Sequence, residues 1–338
     1  MSPTTVTADP PRTTPTETPA PPRRLTPALV LGAPALVLLV VAIAAISLGP
    51  VTVPWGQVLQ TFTDSDAPYG ALVRDVRTPR VLVAALVGAA LAVTGAVLQA
   101  VFRNPLADPG ITGVASGAAV GAVTVLVTGV SILGAATLPV GAFAGAAVTT
   151  LVLLAVARLR QDTSPVTFVL VGITLGSFCS ALTAALTANA PEDSAVRSVM
   201  FWVNGDLTAR TWSDVALCTA PILLGVAVLL SRHHVLDVLL LGEQTATSMG
   251  VDVRRQQLVL LLTCALVTGA AVAVSGVIAF VGLVVPHAVR LLIGPRHVLL
   301  LPASVCTGAA FLILADLGAR LLFDPVVLQT GTVAALVG

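Results

Sequence analysis

Residues 81–100 read VLVAALVGAALAVTGAVLQA, twenty positions with no charged side chain. A helix of that length rises about 30 Å, the thickness of a bilayer's hydrocarbon core. Arg74, Arg77 and Arg80 stand just before it. Working outward, the span at 81–101 has companions at 28–48, 112–130, 136–157, 166–188, 214–231, 257–275, 277–293 and 298–320. A tenth apolar stretch begins near Val326 and stops at Gly338, short of the roughly 20 residues a span needs. The last helix is therefore expected to be truncated.

The whole chain agrees with that reading. Of 338 residues, 56% are hydrophobic and 10% charged, against about 25% charged in soluble domains. Mean hydropathy is +0.99. A soluble protein of this size needs a charged skin that these residues cannot supply. The expectation is an all-α polytopic membrane protein with about ten transmembrane helices, and a water-soluble enzyme is excluded. A net charge of +1 creates no field that would favour nucleic acid.

Residues 1–27 are crowded with Pro and Thr and are read as a disordered cytoplasmic tail. Residues 28–338 form the membrane domain, interrupted by a cytoplasmic loop at 232–256. Arg23 and Arg24 precede the first apolar run, which also raises a twin-arginine export signal, but the run is long for a signal core. With the N-terminus inside and alternating spans, the inner side receives Arg12, Arg23, Arg24, Arg103, Arg158, Arg160, Arg232, Arg254, Arg255, Arg290 and Arg296. The outer side receives Arg74, Arg77, Arg80, Arg197, Arg210 and Arg320. The balance obeys the positive-inside rule, and the outer cluster at 74–80 runs against it.

All 17 basic residues are Arg. A Walker A loop requires a Lys, so the chain cannot hold ATP that way. A Schiff-base lysine is excluded equally. Cys179, Cys218, Cys264 and Cys306 lack CxxC spacing and read as small core hydrophobes. No Ser/His/Asp set, paired carboxylates or HExxH occurs, so no catalytic and no metal-ligating residues are expected. Val87–Val97 (VGAALAVTGAV) and Thr268–Ile278 (TGAAVAVSGVI) share six of eleven positions, an echo suited to an internal repeat.

Four segments interrupt the apolar pattern. Arg103-Asn104-Pro105-Leu106-Ala107-Asp108-Pro109-Gly110 is either a tight loop or a pore-lining break. Leu241-Gly242-Glu243-Gln244-Thr245-Ala246-Thr247-Ser248-Met249-Gly250 suits a short helix from near Gly242, with Ala246 and Met249 on one side and a break at Gly250. It is either a solvated linker or a docking surface. In the third, Pro286 should kink or end a helix, and His287 and Arg290 share one face at three-residue spacing. His287 is expected to be a hydrogen-bonded structural residue. In the fourth, Asp316 and Arg320 are four apart and can pair.

Taken in order, Arg77-Thr78-Pro79-Arg80, Val87-Gly88-Ala89-Ala90-Leu91, Gly95, Gln99, Arg103-Asn104-Pro105-Leu106-Ala107, Leu241-Gly242-Glu243, Phe280-Val281-Gly282-Leu283-Val284-Val285-Pro286-His287 and Ala315-Asp316 resemble the FecCD family. These are permease subunits of ABC importers for iron–siderophore, haem and vitamin B12. The resemblance covers about residues 30–338. It implies the type II ABC importer permease fold in a bacterial inner or plasma membrane. It implies a second permease subunit, identical or related, two cytoplasmic ABC ATPase subunits that use ATP and Mg, and an extracytoplasmic substrate-binding protein. No cofactor is implied for this chain itself.

Residue by residue, the resemblance implies that Arg77, Arg80 and Arg320 meet acidic side chains of the binding protein. Leu241, Gly242, Glu243, Gln244, Ala246, Met249 and Gly250 match the helix that couples to the ATPase. Asn104, Leu106, Thr163 and Ser164 match the cytoplasmic gate, and Pro105, Pro286, His287, Arg290 and Asp316 are structural. The chain departs from the family at Leu328-Gln329-Thr330-Gly331, where Leu-Pro-Val-Gly is usual, and it lacks the apolar stretch that follows the final Gly. The rival class, an ion-coupled secondary transporter, needs membrane-embedded carboxylates. Asp316 is its one candidate.

Overall fold

The computed structural model describes residues 26–64, 67–159, 165–322 and 328–338, and these are helical throughout. The disordered tail expected at 1–27 lies almost entirely outside them. Pro27 opens α1 (Pro27–Ser47), where its missing N–H has no partner to lose. A short amphipathic α2 (Trp55–Thr63) and a π-helical stretch (Leu72–Arg77) lead into α3 (Thr78–Val101). Then follow α4 (Val114–Thr128), α5 (Thr137–Leu159), α6 (Pro165–Ala188), the short α7 (Asp193–Val203) and α8 (Trp212–Ser231). Beyond them come α9 (His233–Leu240), α10 (Glu243–Ser248), α11 (Val253–Ser275), α12 (Val281–Ile293), α13 (His297–Leu321) and α14 (Thr330–Val337).

Seven stretches among the described residues are long and apolar enough to cross a membrane: α1, α3 with its π-helical lead-in, α5, α6, α8, α11 and α13. The shorter apolar α4, α12 and α14 bring the set to the ten expected from the sequence. The span expected at 277–293 needs correction. The helix starts only at Val281, because Gly276 (φ 69°) and Phe280 (φ 69°) both take left-handed backbone and hold 276–280 out of a helix. Thirteen residues rise only about 20 Å. Pro286 does not end this helix either: it sits inside α12, which continues to Ile293.

α3 is the hub of the fold. Nearly every residue from Val87 to Val101 is buried, and α13, α11, α12 and α8 surround it. Lipid supplies no hydrophobic drive between helices, so close approach depends on small residues. A Cβ on Gly88 would overlap the carbonyl of Gly308 in α13, and one on Gly95 would overlap the carbonyl oxygen of Gly282 in α12. That Gly282 oxygen is the one Pro286 cannot bond, four residues on, and it rests against the bare Cα of Gly95 instead. The sequence echo is also visible here. Thr94 bonds its hydroxyl to Ala90 O (2.8 Å), and the aligned Ser275 bonds its own to Ala271 O (2.9 Å). The two buried stretches lie on touching helices, with Cys264 Sγ 3.9 Å from Thr94 O. α6 stands at the other extreme, with only 11% of its apolar window buried.

Gly95→Ala should therefore destabilise the protein by about 1–3 kcal/mol or more through overpacking. Gly32→Ala, where nothing lies within 4 Å, should be neutral. Thermal unfolding of both variants in one detergent compares them directly, and equal melting temperatures would contradict the packing assigned to α3.

Candidate functional site

The polar groups of this chain gather at two ends. At the outer end, Arg80 clamps Asp316 through Nε (3.1 and 2.9 Å) and Nη2 (2.8 Å). Arg320 approaches the same carboxylate at 3.3 Å from the next turn of α13, the pairing that its i,i+4 spacing predicted. Thr330 at the start of α14 donates to Asp316 Oδ1 at 2.9 Å. Arg77 donates to the carbonyls of Ile46 (2.7 Å), Ser47 (2.9 Å) and Val51, and Arg320 points two donors at Ala45 O (3.5 and 3.4 Å). The unpaired carbonyls closing α1 are thereby bonded, and cations suit that negative helix end. Four helix ends, those of α1, α3, α13 and α14, meet at this one carboxylate.

This arrangement corrects the expectation of an exposed arginine face. Arg77, Arg80 and Arg320 are only 4–6% exposed, and their donors already have internal acceptors. A docking partner's carboxylate could reach them only by competing with Asp316 and the α1 carbonyls. The pairing of Arg80 with Asp316, 236 positions apart, left no sequence signal.

At the inner end, α9 and α10 fill the loop expected at 232–256. α10 starts after Gly242 (φ 114°) and is followed by Gly250 (φ 84°), both conformations that favour glycine. Glu243 accepts from Gln257 of α11 at 3.1 Å. Ala246 is fully buried, whereas Leu241, Gln244 and Met249 are exposed. Ala246 and Met249 thus do not share a face, because Met249 lies past the last turn of α10 as its C-cap. A groove of about 530 Å³ runs beside α10, lined by Glu243, Gln244, Thr247, Ser248 and Val253.

The break at 103–110 reaches the same end. Arg103 holds positive φ (47°) and donates Nε to Leu239 O of α9 at 3.2 Å. Asn104 caps its own turn, Oδ1 accepting from Leu106 N at 2.9 Å, and Asn104, Pro105 and Leu106 are all exposed. Asp108 accepts from Gly110 N at 2.8 Å. Burial pushes its carboxyl above the ordinary range, and that hydrogen bond partly opposes the shift. Thr163 and Ser164, the other gate positions, lie outside the described residues.

Arg290 and His287 part company. Arg290 donates to Gln99 Oε1 at 2.8 Å, while Gln99 donates to Leu283 O at 3.1 Å, tying α12 to α3. His287 is exposed and makes no hydrogen bond among the described residues, so it is not the bonded structural residue expected. That part falls to His297, which the sequence reading passed over. It is buried at the start of α13 and bonds Asp237 of α9 at 2.7 Å.

Comparison with known proteins completes the description. The model of the FecCD transport family matches residues 37–338. The cobalamin import system permease BtuC of Halobacterium salinarum is 44% identical over 79% of this chain and 71% of its own length. The hemin transport system permease HmuU of Yersinia pestis is 36% identical over 93% and 94%, and the Fe(3+) dicitrate permease FecD of Escherichia coli 38% over 88% and 91%. A solved structure described as an inward-facing metal-chelate type ABC transporter superposes with TM-score 0.80 at 29% identity, covering 93% of this chain and 96% of the other.

Asp316→Asn should leave the buried guanidinium groups of Arg80 and Arg320 without a counter-charge, at a cost of about 3–5 kcal/mol. The paired replacement Arg80→Met with Asp316→Leu should cost less than Asp316→Asn alone. Melting temperatures in detergent decide, and an Asp316→Asn variant as stable as the parent would remove this cluster from its structural role.

Proposed function

The chain belongs to the FecCD transport family, a multi-span membrane permease, and on that premise we propose that it carries an iron–siderophore complex into the cell, with haem and cobalamin as the neighbouring cargo classes. Related permeases act on cobalamin, hemin and ferric dicitrate, which frames the range. The observation that carries the energy source is joint. The chain lacks any Lys for a Walker A loop, yet it mounts a helix at its inner end whose outward residues have no work inside the fold. We assign α10 to a groove on a separate ABC ATPase that binds ATP and Mg, with Leu241, Gln244 and Met249 as its contacts.

The wiring of α10 supports transmission. Glu243 leads to Gln257 and α11, α9 leads through Asp237 to His297 and α13, and Leu239 receives Arg103 from the end of α3. Movement of the α9–α10 unit would pull on three core helices and on the exposed Asn104–Leu106 turn, which we assign to the cytoplasmic gate with Thr163 and Ser164. The cargo path would run between two permeases, and the sparsely covered α6 offers surface for the second. The iron would travel with its own ligands, so no protein ligands are required. An extracytoplasmic binding protein would dock at the outer end, steered by arginines that outnumber Asp316 there. The N-terminus would lie in the cytoplasm, as the arginine balance requires.

An ion-coupled mechanism is less well supported. Asp316 is the one buried carboxylate among the described residues, and it is committed to Arg80, Arg320 and Thr330.

Glu243→Arg combined with Met249→Glu should lower ATP-driven uptake at least tenfold in proteoliposomes holding the full importer, while ATP hydrolysis continues. Uptake at the parent rate would contradict the role given to α10.

A further inference from the structure

The outer arginines fall into two groups, and only one is explained by Asp316. Arg197 of α7 and Arg210, just before α8, line a cleft of about 460 Å³ at the outer end, together with Trp202, Asp206 and the apolar walls Leu126 and Leu138. Arg197 is exposed and has no hydrogen bond or ion pair among the described residues. Arg210 gives Nη1 to Val274 O at 2.8 Å, but its Nε is buried without an acceptor. Trp202 is 5% exposed, and its indole Nε1–H is likewise buried and unpartnered. Buried donors are rarely left unmet, because each forfeits its hydration without return.

We propose that this cleft is a binding site for an oxyanion group, a carboxylate or phosphate, presented at the outer face. Every unmet polar atom here is a donor, so the matching ligand is rich in acceptors. Asp206 is the one acid in the lining, and its Oδ1 already accepts from Thr208 N (2.9 Å) and Oγ1 (2.5 Å). Two guanidinium groups outnumber it, so a cation is disfavoured and an anion attracted. The volume suits a small ligand or one limb of a larger one. The binding itself stands on the cleft. Arrival of the ligand from outside as part of the transport route rests on the permease reading.

The shared chemistry has two sources, a soluble carboxylate or phosphate compound and an anionic lipid headgroup, and one experiment separates them. The chain holds three Trp. Trp55→Phe with Trp212→Phe leaves Trp202 as the sole indole reporter. In phosphatidylcholine nanodiscs, citrate and inorganic phosphate are titrated; in a second series phosphatidylglycerol replaces part of the lipid. A saturable change in Trp202 emission is expected in at least one series. Response to the soluble anions assigns a soluble ligand, and response to phosphatidylglycerol alone assigns a lipid headgroup. Arg197→Gln, at an exposed position with no internal bond to lose, should weaken the response about tenfold or more, Arg197→Lys less, and Asp206→Asn should strengthen it. No response in either series, or a response unchanged by Arg197→Gln, overturns the proposal. Neither ATP hydrolysis nor uptake enters the readout, so failure of the permease reading would show as lost transport with binding intact.

Discussion

Inside hydrocarbon no water is available to accept a backbone hydrogen bond, and every departure from regular helix must be satisfied by the protein itself. Much of this structure follows from that constraint. α1 ends below the outer surface, and Arg77 and Arg320 take up its last carbonyls. Those cations then need a counter-charge, which Asp316 provides in company with Arg80. The non-helical stretch 276–280 is handled in kind: Ser275 O receives Asp206 N at 2.9 Å, and Gly331 N bonds Gly205 O at 3.0 Å beside it. Each break in a helix thus draws a second element against it, and that tightness holds the short α12 and α14 in place.

The two ends of the molecule use polar residues differently. At the outer end the bonds are buried and join helix termini, which makes a rigid collar. At the inner end they are half exposed and link a small two-helix unit to the long helices through single side chains. A rigid collar with a linked handle below is the mechanical layout that drive from the cytoplasmic side requires. It is also what a chain without a nucleotide site of its own needs in a family of transporters.

Arginine placement illustrates how far pattern reading reaches. The excess of outer arginines marks a departure from the positive-inside rule, and the structure resolves it into two arrangements. One is closed, with each guanidinium met by a carboxylate or a carbonyl. The other is open, with donors of Arg210 and Trp202 facing no acceptor. Both look alike in sequence, as isolated arginines near helix ends. Only position relative to Asp316 separates them.

Local periodicity and composition alone determined that the chain is helical, that it spans a membrane, where its ten apolar segments lie within a few residues, and that it carries no Walker A site. Those properties depend on side-chain polarity summed over about twenty neighbours, which a linear reading captures. Gly242 and Gly250 likewise bound α10 through purely local backbone preference. Tertiary structure decided the rest. Arg80 finds Asp316 across 236 positions, Gly95 receives the oxygen that Pro286 releases, and His297 rather than His287 becomes the bonded histidine. None of these depends on neighbours in sequence, because a buried charge or an orphaned carbonyl is satisfied by whichever helix packing brings near.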